Sequence, residues 1–208
     1  MKFNSKIVLM ACFLLATILF FYLDGRKNDK VSLFKNLDYG MTREQSALSL
    51  GMDKDAFKRG QLVEFSKINE ISWLVTYSFE KDRLTSVNIS APDVDDNLSK
   101  TFDMLVGSGF RLVLMSKNST TKDMVAAEKE MPRLEYNNVI ENAKYRFKTT
   151  DKTIFIFVDT KSPGYRRNAS NYNEIMLGLK HKLRVARIKI EGINMDVQFY
   201  VESPKDTV

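Results

Sequence analysis

An uncharged run of 17 residues near the start of the chain, from Ile7 through Leu14 and Phe20 to Leu23, constrains this sequence more than any other feature. At about 1.5 Å per residue, a helix of this length just crosses a hydrocarbon core of about 30 Å. A helix also satisfies its own backbone hydrogen bonds inside lipid. The run therefore predicts a transmembrane helix, which together with the polar residues after it forms a predicted anchor and spacer over residues 1–30.

Two other interpretations of the apolar run stay open. A cleaved signal peptide has a shorter apolar core and a small-x-small cleavage site after it, whereas this run ends in Phe20-Phe-Tyr-Leu-Asp24. A lipoprotein signal is suggested by Leu9-Met-Ala-Cys12, although eleven mostly apolar residues follow that cysteine. We favour an uncleaved anchor over both.

The charges that flank the run do not decide its orientation. Lys2 and Lys6 precede it, and four Lys and Arg residues follow between positions 26 and 35. Long domains are translocated largely regardless of charge. The only cysteine is Cys12, so the body exposes no thiol and holds no disulfide, which agrees with a location outside the cytoplasm. We therefore expect a single-pass protein of the bacterial inner membrane with its body in the periplasm.

The composition of the remaining 178 residues is that of a folded body with little net charge. Five of the chain's 32 Lys and Arg residues and two of its 26 Asp and Glu residues lie before position 31, which leaves the body with a net charge of +3. That charge is too small to favour a nucleic-acid partner. The length suits one ordinary domain or two small ones, and we divide the body into units at residues 31–91 and 92–208.

The first unit is predicted to be a short helix followed by a β-hairpin. Thr42-Arg-Glu-Gln45 has the pattern of a capping box, and Gly51 is placed to end the helix in a left-handed conformation. From Trp73 to Phe79, apolar residues alternate with mostly polar ones, which is typical of a half-buried strand. A tight turn at Lys81-Asp82 would lead into the next strand.

Several of these segments resemble the SmpA/OmlA family over about residues 36–91. They are Tyr39-Gly-Met-Thr-Arg-Glu-Gln45, Leu50-Gly51, Trp73-x-x-x-Tyr77-x-Phe79 and Arg83-Leu-Thr-Ser-Val-Asn-Ile89. Members of this family are small envelope lipoproteins of outer-membrane barrel assembly, and they share a fold with β-lactamase-inhibitor proteins. The resemblance implies a helix packed on a hairpin and an accessory role in envelope assembly.

The second unit is predicted to alternate helices and strands. Three helices are predicted: one that begins at Asp95-Asp-Asn97, one from Thr120 to Met131, and one that carries Ile175, Leu179 and Leu183 on one face. Its predicted strands cover residues 110–115, 145–148, 153–158, 186–190 and 195–201. The predicted fold class is therefore α+β, an N-terminal transmembrane helix followed by a helix-plus-antiparallel-sheet body, with two related α/β units as an alternative arrangement.

The residues that usually carry chemistry form no recognisable site. His181, the only histidine, is placed on the last predicted helix between two lysines and has no nucleophile or orienting acid at a known spacing. The carboxylates of Asp93-Val-Asp-Asp-Asn97 lack the pattern of a calcium loop and suit helix capping instead. We therefore predict no catalytic residue, no metal and no cofactor.

Two stretches are candidates for binding. Tyr165, Arg166 and Arg167 lie in a polar loop, and these residue types often anchor protein interfaces; an ordinary solvated loop is the alternative. The basic run from Lys180 to Lys189 could meet anionic lipid or an acidic partner, but its alternation with apolar residues favours a half-buried element with a charged outer face.

These observations predict a membrane-anchored, envelope-facing, non-enzymatic module that binds a protein partner in the envelope and no nucleic acid. Two roles fit that description: an accessory to envelope assembly, or an inhibitor or immunity protein. The first alternative from another class is a sensory or regulatory ectodomain that binds a small ligand. A carboxylate-dependent hydrolase is the second.

Overall fold

The structure is a computed structural model that describes residues 31–58, 63–94, 96–145, 152–177 and 179–204. Most of its regular secondary structure consists of strands, and apolar and polar residues alternate along the longest of them. Eight strands form one sheet in which every neighbouring pair is antiparallel. These strands are β3 (Val63–Ile68), β4 (Ile71–Glu80), β5 (Arg83–Pro92), β6 (Phe110–Lys117), β7 (Thr120–Asp123), β8 (Thr153–Asp159), β9 (Leu183–Glu191) and β10 (Asn194–Glu202). Their order across the sheet is β3-β4-β5-β10-β9-β8-β6-β7.

The other described elements are short. A separate two-stranded ribbon consists of β1 (Ser32–Phe34) and β2 (Leu37–Asp38). The helices are α1 (Arg43–Ser49), α2 (Asn97–Gly107), α3 (Met124–Glu130), α4 (Arg133–Tyr145) and α5 (Tyr172–Met176). The predicted unit boundary between residues 91 and 92 falls at the end of β5, before its last residue. Strands from both sides of this boundary belong to the same sheet, because β5 pairs with β10.

The predicted fold class is wrong, because the sheet dominates the structure. Of the described residues, 43% lie in strands and 26% in helices. Within the part of the chain that the structure describes, no helix has the length and apolar character that a membrane crossing requires. The predicted anchor residues Ile7, Leu14, Phe20 and Leu23 lie outside the described residues.

Local signals explain the hairpins that connect the strands. Two-residue turns at Asn69-Glu70, Lys81-Asp82 and Asn118-Ser119 have positive φ at both positions, which suits the twist of paired strands.

The capping box of α1 is confirmed: the Gln45 amide donates to the Thr42 hydroxyl at 3.1 Å, and the Thr42 amide donates to the Gln45 side chain at 2.9 Å.

Three predicted elements of the second unit are wrong in part. The helix predicted from Thr120 begins only at Met124, because residues 120–123 pair with β6 as β7. A strand is predicted over residues 145–148, but Tyr145 is the last residue of α4. Residues 146–148 lie outside the described residues. The helix predicted through Leu183 ends at Met176, and Leu183 begins β9 instead.

One face of the sheet is covered by the main core. Trp73, Val75 and Tyr77 of β4 point to this face and are fully or almost fully buried, so the buried strand face predicted for them is confirmed. The ring of Phe102 on α2 packs against those of Phe155 and Phe157 at 4.9 and 5.0 Å between ring centroids. Residues of α1, α2 and α4 belong to or pack against this core.

The other face is covered over only part of its extent. A second apolar cluster there includes Val125 of α3, Ala169 of the loop after β8 and Ile175 of α5. These residues pack against Val158 of β8 and Val185 of β9. Beyond this cluster the same face carries polar side chains, and that part of the sheet is the candidate site.

Candidate functional site

The part of the sheet opposite Trp73 forms a shallow surface that we call the open face. A depression of about 410 Å³ lies over it, and polar or charged side chains from four strands line the depression. They are Thr76, Asn88, Ser90, Arg187, Lys189, Asp196 and Gln198. Residues directly opposite each other on antiparallel strands point to the same side of a sheet, so the strand register arranges these side chains in rows.

Two rows cross the open face side by side. The first row contains Val63, Thr76, Asn88, Gln198, Arg187 and Ile156, in order from β3 to β8. The second row contains Phe65, Leu74, Ser90, Asp196, Lys189, Ile154 and Ser116, in order from β3 to β6. Both rows begin with an apolar side chain, become polar in the middle of the sheet and return to an isoleucine on β8.

Hydrogen bonds between strands hold the polar middle of the open face in place. The Arg187 guanidinium donates to the Gln198 side-chain oxygen at 2.6 Å. The Ser90 hydroxyl donates to the Asp196 carboxylate. The Lys189 ammonium pairs with Glu191 at 2.5 Å, and this contact lowers the pKa of the Glu191 carboxyl, with a further contribution from the nearby charge of Lys152. A partner would therefore meet side chains that are already oriented.

The β3 edge of the open face is apolar and exposed. The side chain of Phe65 is 86% exposed and that of Val63 is 50% exposed. Phe65 lies opposite the half-buried Leu74 in the strand register, so the two form one apolar contact area. An exposed aromatic side chain beside a polar surface is a common anchor of protein interfaces.

A second depression extends the open face toward β6. It measures about 520 Å³ and is lined by Ser116, Asn118, Ser119, Lys152 and Ile154. Ile154 lies directly opposite Lys189 in the register of β8 and β9, so this depression adjoins the first one. Together they extend the open face across most of the strands of the sheet, with Ile154 of β8 between the two polar parts.

The predicted binding loop lies beside the second apolar cluster. Tyr165 is half-buried and packs against that cluster, and its hydroxyl accepts a hydrogen bond from Arg111 at 2.8 Å. Arg166 and Arg167 are exposed, and Arg166 donates to the Glu174 carbonyl oxygen at 3.3 Å. Tyr165 thus has a packing role, and the partner-binding role of the three residues stays a prediction.

The basic run after Lys180 divides between the two faces of β9. Arg187 and Lys189 reach the open face, whereas Arg184 is turned to the core. There the Arg184 guanidinium donates to the Leu33 carbonyl oxygen at 2.7 Å and pairs with the Asp159 carboxylate at 3.5 Å. Burial lowers the pKa of Arg184. The predicted half-buried element with a charged outer face is confirmed for Arg187 and Lys189 and is wrong for Arg184.

The residues considered for chemistry are dispersed. His181 is exposed in the segment before β9, so its predicted position on a helix is wrong. Asp96 stands at the N-terminus of α2 without a capping hydrogen bond and pairs with Lys100 at 3.2 Å instead, which corrects the capping interpretation. Among the described residues, no cluster of three His, Cys, Asp or Glu side chains is placed to hold a metal.

From the sequence, the side of β4 opposite Trp73, which carries Leu74, Thr76 and Ser78, is the second choice for an interface after the Tyr165 loop, but the strands that complete the open face are not identified. Asn88, Asp196 and Gln198 each alternate with apolar neighbours, which marks the outer faces of two strands. The pairing of β5 with β10 brings these residues together, and the sequence shows no sign of it. No family model, curated protein or solved structure matches this chain in the comparisons that we made.

Proposed function

We propose that this chain is a non-enzymatic protein-binding module that docks a protein partner on the open face. The observation that carries this proposal is the polar middle of the open face beside the exposed Phe65 and Val63. Protein interfaces typically combine a few aromatic anchors with oriented polar groups.

The size of the open face also suits a protein. The second row crosses seven strands, hence six interstrand steps, or about 29 Å at about 4.8 Å per step. The row that begins at Ser78 runs under the second apolar cluster at Val185 and Val158, so the open face extends along β4 from Ser72 to Thr76, about 13 Å. The resulting projected area of roughly 380 Å² is about half of the about 800 Å² that one partner contributes to a standard interface, which suits a small or transient protein interface.

A small ligand is the weaker candidate for this surface. Small-molecule sites are concave and mostly apolar, and they enclose most of the ligand. The 410 Å³ depression is lined instead by seven polar or charged side chains on the outer face of a sheet. These features favour a protein partner over the sensory ectodomain that binds a small ligand.

We place the module at the bacterial inner membrane, attached through the apolar residues 7–23 and with its body in the periplasm. Full-length protein should then stay with the membrane fraction during an alkaline carbonate wash. Its release into the supernatant would contradict the attachment. Within this setting, an accessory role in envelope assembly and an inhibitor or immunity role both use the same surface, and the identity of the partner separates them.

Site-specific photocrosslinking in cells tests the proposed function. A photoreactive phenylalanine analogue is placed at Phe65 or Thr76 on the open face, and at Leu134 on α4 as the control. Leu134 is 74% exposed, but it lies on a helix that packs against the main core, on the face of the sheet opposite the open face. We expect a protein adduct of one discrete mass from the first two positions and none from the third.

Two outcomes would contradict the proposal: no adduct from either position on the open face, or the same adducts from Leu134. Phe65→Ala should in addition reduce the Thr76 adduct while leaving the thermal stability unchanged, because Phe65 is 86% exposed in the free protein. Leu134→Ala is the matched exposed control for that substitution.

A further inference from the structure

Arg187 is the most accessible charge in the middle of the open face. Its side chain is exposed, and one of its nitrogens donates to Gln198. A guanidinium carries five N–H donors in a planar fork, so donors remain for a ligand once Gln198 has taken one. The bond to Gln198 also fixes the direction of the fork, which lowers the entropy lost when a ligand binds.

The neighbours of Arg187 in the first row are neutral hydrogen-bonding groups. Gln198, Asn88 and Thr76 follow one another on the adjacent strands toward β3, and all three line the same depression. The carboxylates of the open face lie near Lys189 instead: Glu191 pairs with it, and Asp196 is opposite it in the register. The first row therefore carries one positive charge with amide and hydroxyl groups beside it.

We infer that the protein partner inserts an acidic side chain into the depression, where its carboxylate binds Arg187 through paired N–H donors with Asn88 and Thr76 beside it. The inference rests on the protein-binding function proposed above and names the chemistry of that partner. A carboxylate matches the planar fork of arginine with two parallel hydrogen bonds, which is among the strongest polar contacts in proteins.

The same row fixes a second requirement for the partner. Val63 begins the row on β3, and Arg187 lies four interstrand steps away, which corresponds to about 19 Å. The partner must therefore present an apolar group and a carboxylate about 19 Å apart. An extended segment of about six residues or a helix of about thirteen residues spans that distance.

A continuous polyanion fits this surface less well than a single carboxylate. Nucleic acids and anionic membranes gain affinity from many cationic contacts at once. On the open face, Asp196 and Glu191 lie next to Lys189, so their negative charges would repel the phosphates adjoining any phosphate bound at Arg187. An isolated acidic side chain avoids that repulsion.

The test measures the yield of the protein adduct formed from the photoreactive residue at position 65 in the full-length chain. Arg187→Glu should lower the yield about tenfold or more, because the substitution replaces a paired contact by repulsion of like charges. Arg187→Lys, which keeps the charge but loses the fork, should give an intermediate yield. Arg133→Glu makes the same charge change on α4 and should leave the yield unchanged.

A control and a reciprocal change complete the experiment. Arg187→Gln removes the charge without adding a new one, so it should also reduce the yield if Arg187→Glu acts through binding and not through misfolding; protease resistance of the body reports folding. Replacing the contacted Asp or Glu of the captured partner by Arg should restore the adduct with Arg187→Glu.

The outcomes separate this inference from the function that it rests on. An adduct at position 65 that Arg187→Glu leaves unchanged overturns the inference and leaves the binding function intact. An adduct that nuclease removes, or that has the mass of a lipid, overturns the inference in favour of a polyanion. The absence of an adduct from both positions 65 and 76 in a chain that keeps Arg187 overturns the binding function itself.

Discussion

Replacing Trp73 by Ala should remove one of the largest contributions to the stability of the body. The indole is fully buried in the main core, and its N–H donates to the Ile68 carbonyl oxygen at 3.2 Å. Truncation of a buried Phe or Trp to Ala costs about 3–5 kcal/mol in the free energy of unfolding. For a body of 178 residues, each kcal/mol corresponds to a fall of about 2–4 °C in Tm, so Tm should fall by about 6–20 °C.

Thermal unfolding of the full-length chain in a neutral detergent measures this change, with circular dichroism as the signal. Trp73→Phe keeps an aromatic ring but loses the hydrogen bond and part of the volume, and we expect it to cost about 1–2 kcal/mol. Leu134→Ala, at a side chain that is 74% exposed, should change stability by less than about 0.5 kcal/mol.

Because the chain has only one tryptophan, fluorescence reports the same environment directly. Emission from a buried indole should lie at short wavelength and resist quenching by acrylamide until the protein unfolds. A Tm of Trp73→Ala within 1 °C of the wild type, or emission typical of an indole in water, would refute the buried strand face.

Three further predictions concern one or two positions each. Gly164→Ala should lower Tm, because a Cβ there would lie 2.5 Å from the His181 carbonyl oxygen, whereas Gly107→Ala, with no atom within 4 Å, is the matched control and should not lower it. Burial raises the pKa of Asp93, so the folded state favours the protonated carboxyl; Asp93→Asn should raise Tm at pH 7, and the gain should vanish below the unfolded pKa of about 3.9. A gain that persists at pH 3 would contradict that account. Arg166→Ala with Arg167→Ala tests the predicted binding loop without disturbing Tyr165, and it should reduce the Thr76 adduct with no change in Tm if the loop contacts the partner; an unchanged adduct would remove the loop from the interface.

Several features that depend on residues within about ten positions were predictable from the sequence. The capping box of α1, the turn at Lys81-Asp82 and the buried side of β4 each depend on neighbours in the chain, and each is confirmed. One prediction was wrong because pairing within a hairpin overrides helical propensity. Residues 120–123 continue a plausible helix, but pairing with β6 makes them a strand, and Asp123 then caps the helix that follows.

The candidate site also contains residues that are far apart in the sequence and become neighbours only through strand pairing. Tyr165, Arg166 and Arg167 are adjacent in the chain, so a reader of the sequence sees them as a cluster, whereas Ser90 and Asp196 are 106 residues apart and still share a hydrogen bond. The open face exists only because β5 pairs with β10, and that register sets which polar side chains become neighbours. A shift of one residue in this pairing would turn Asp196 and Gln198 toward the core and Val197 toward solvent. The apolar core of β10 therefore fixes the register, and in doing so it positions the polar groups to which we assign binding.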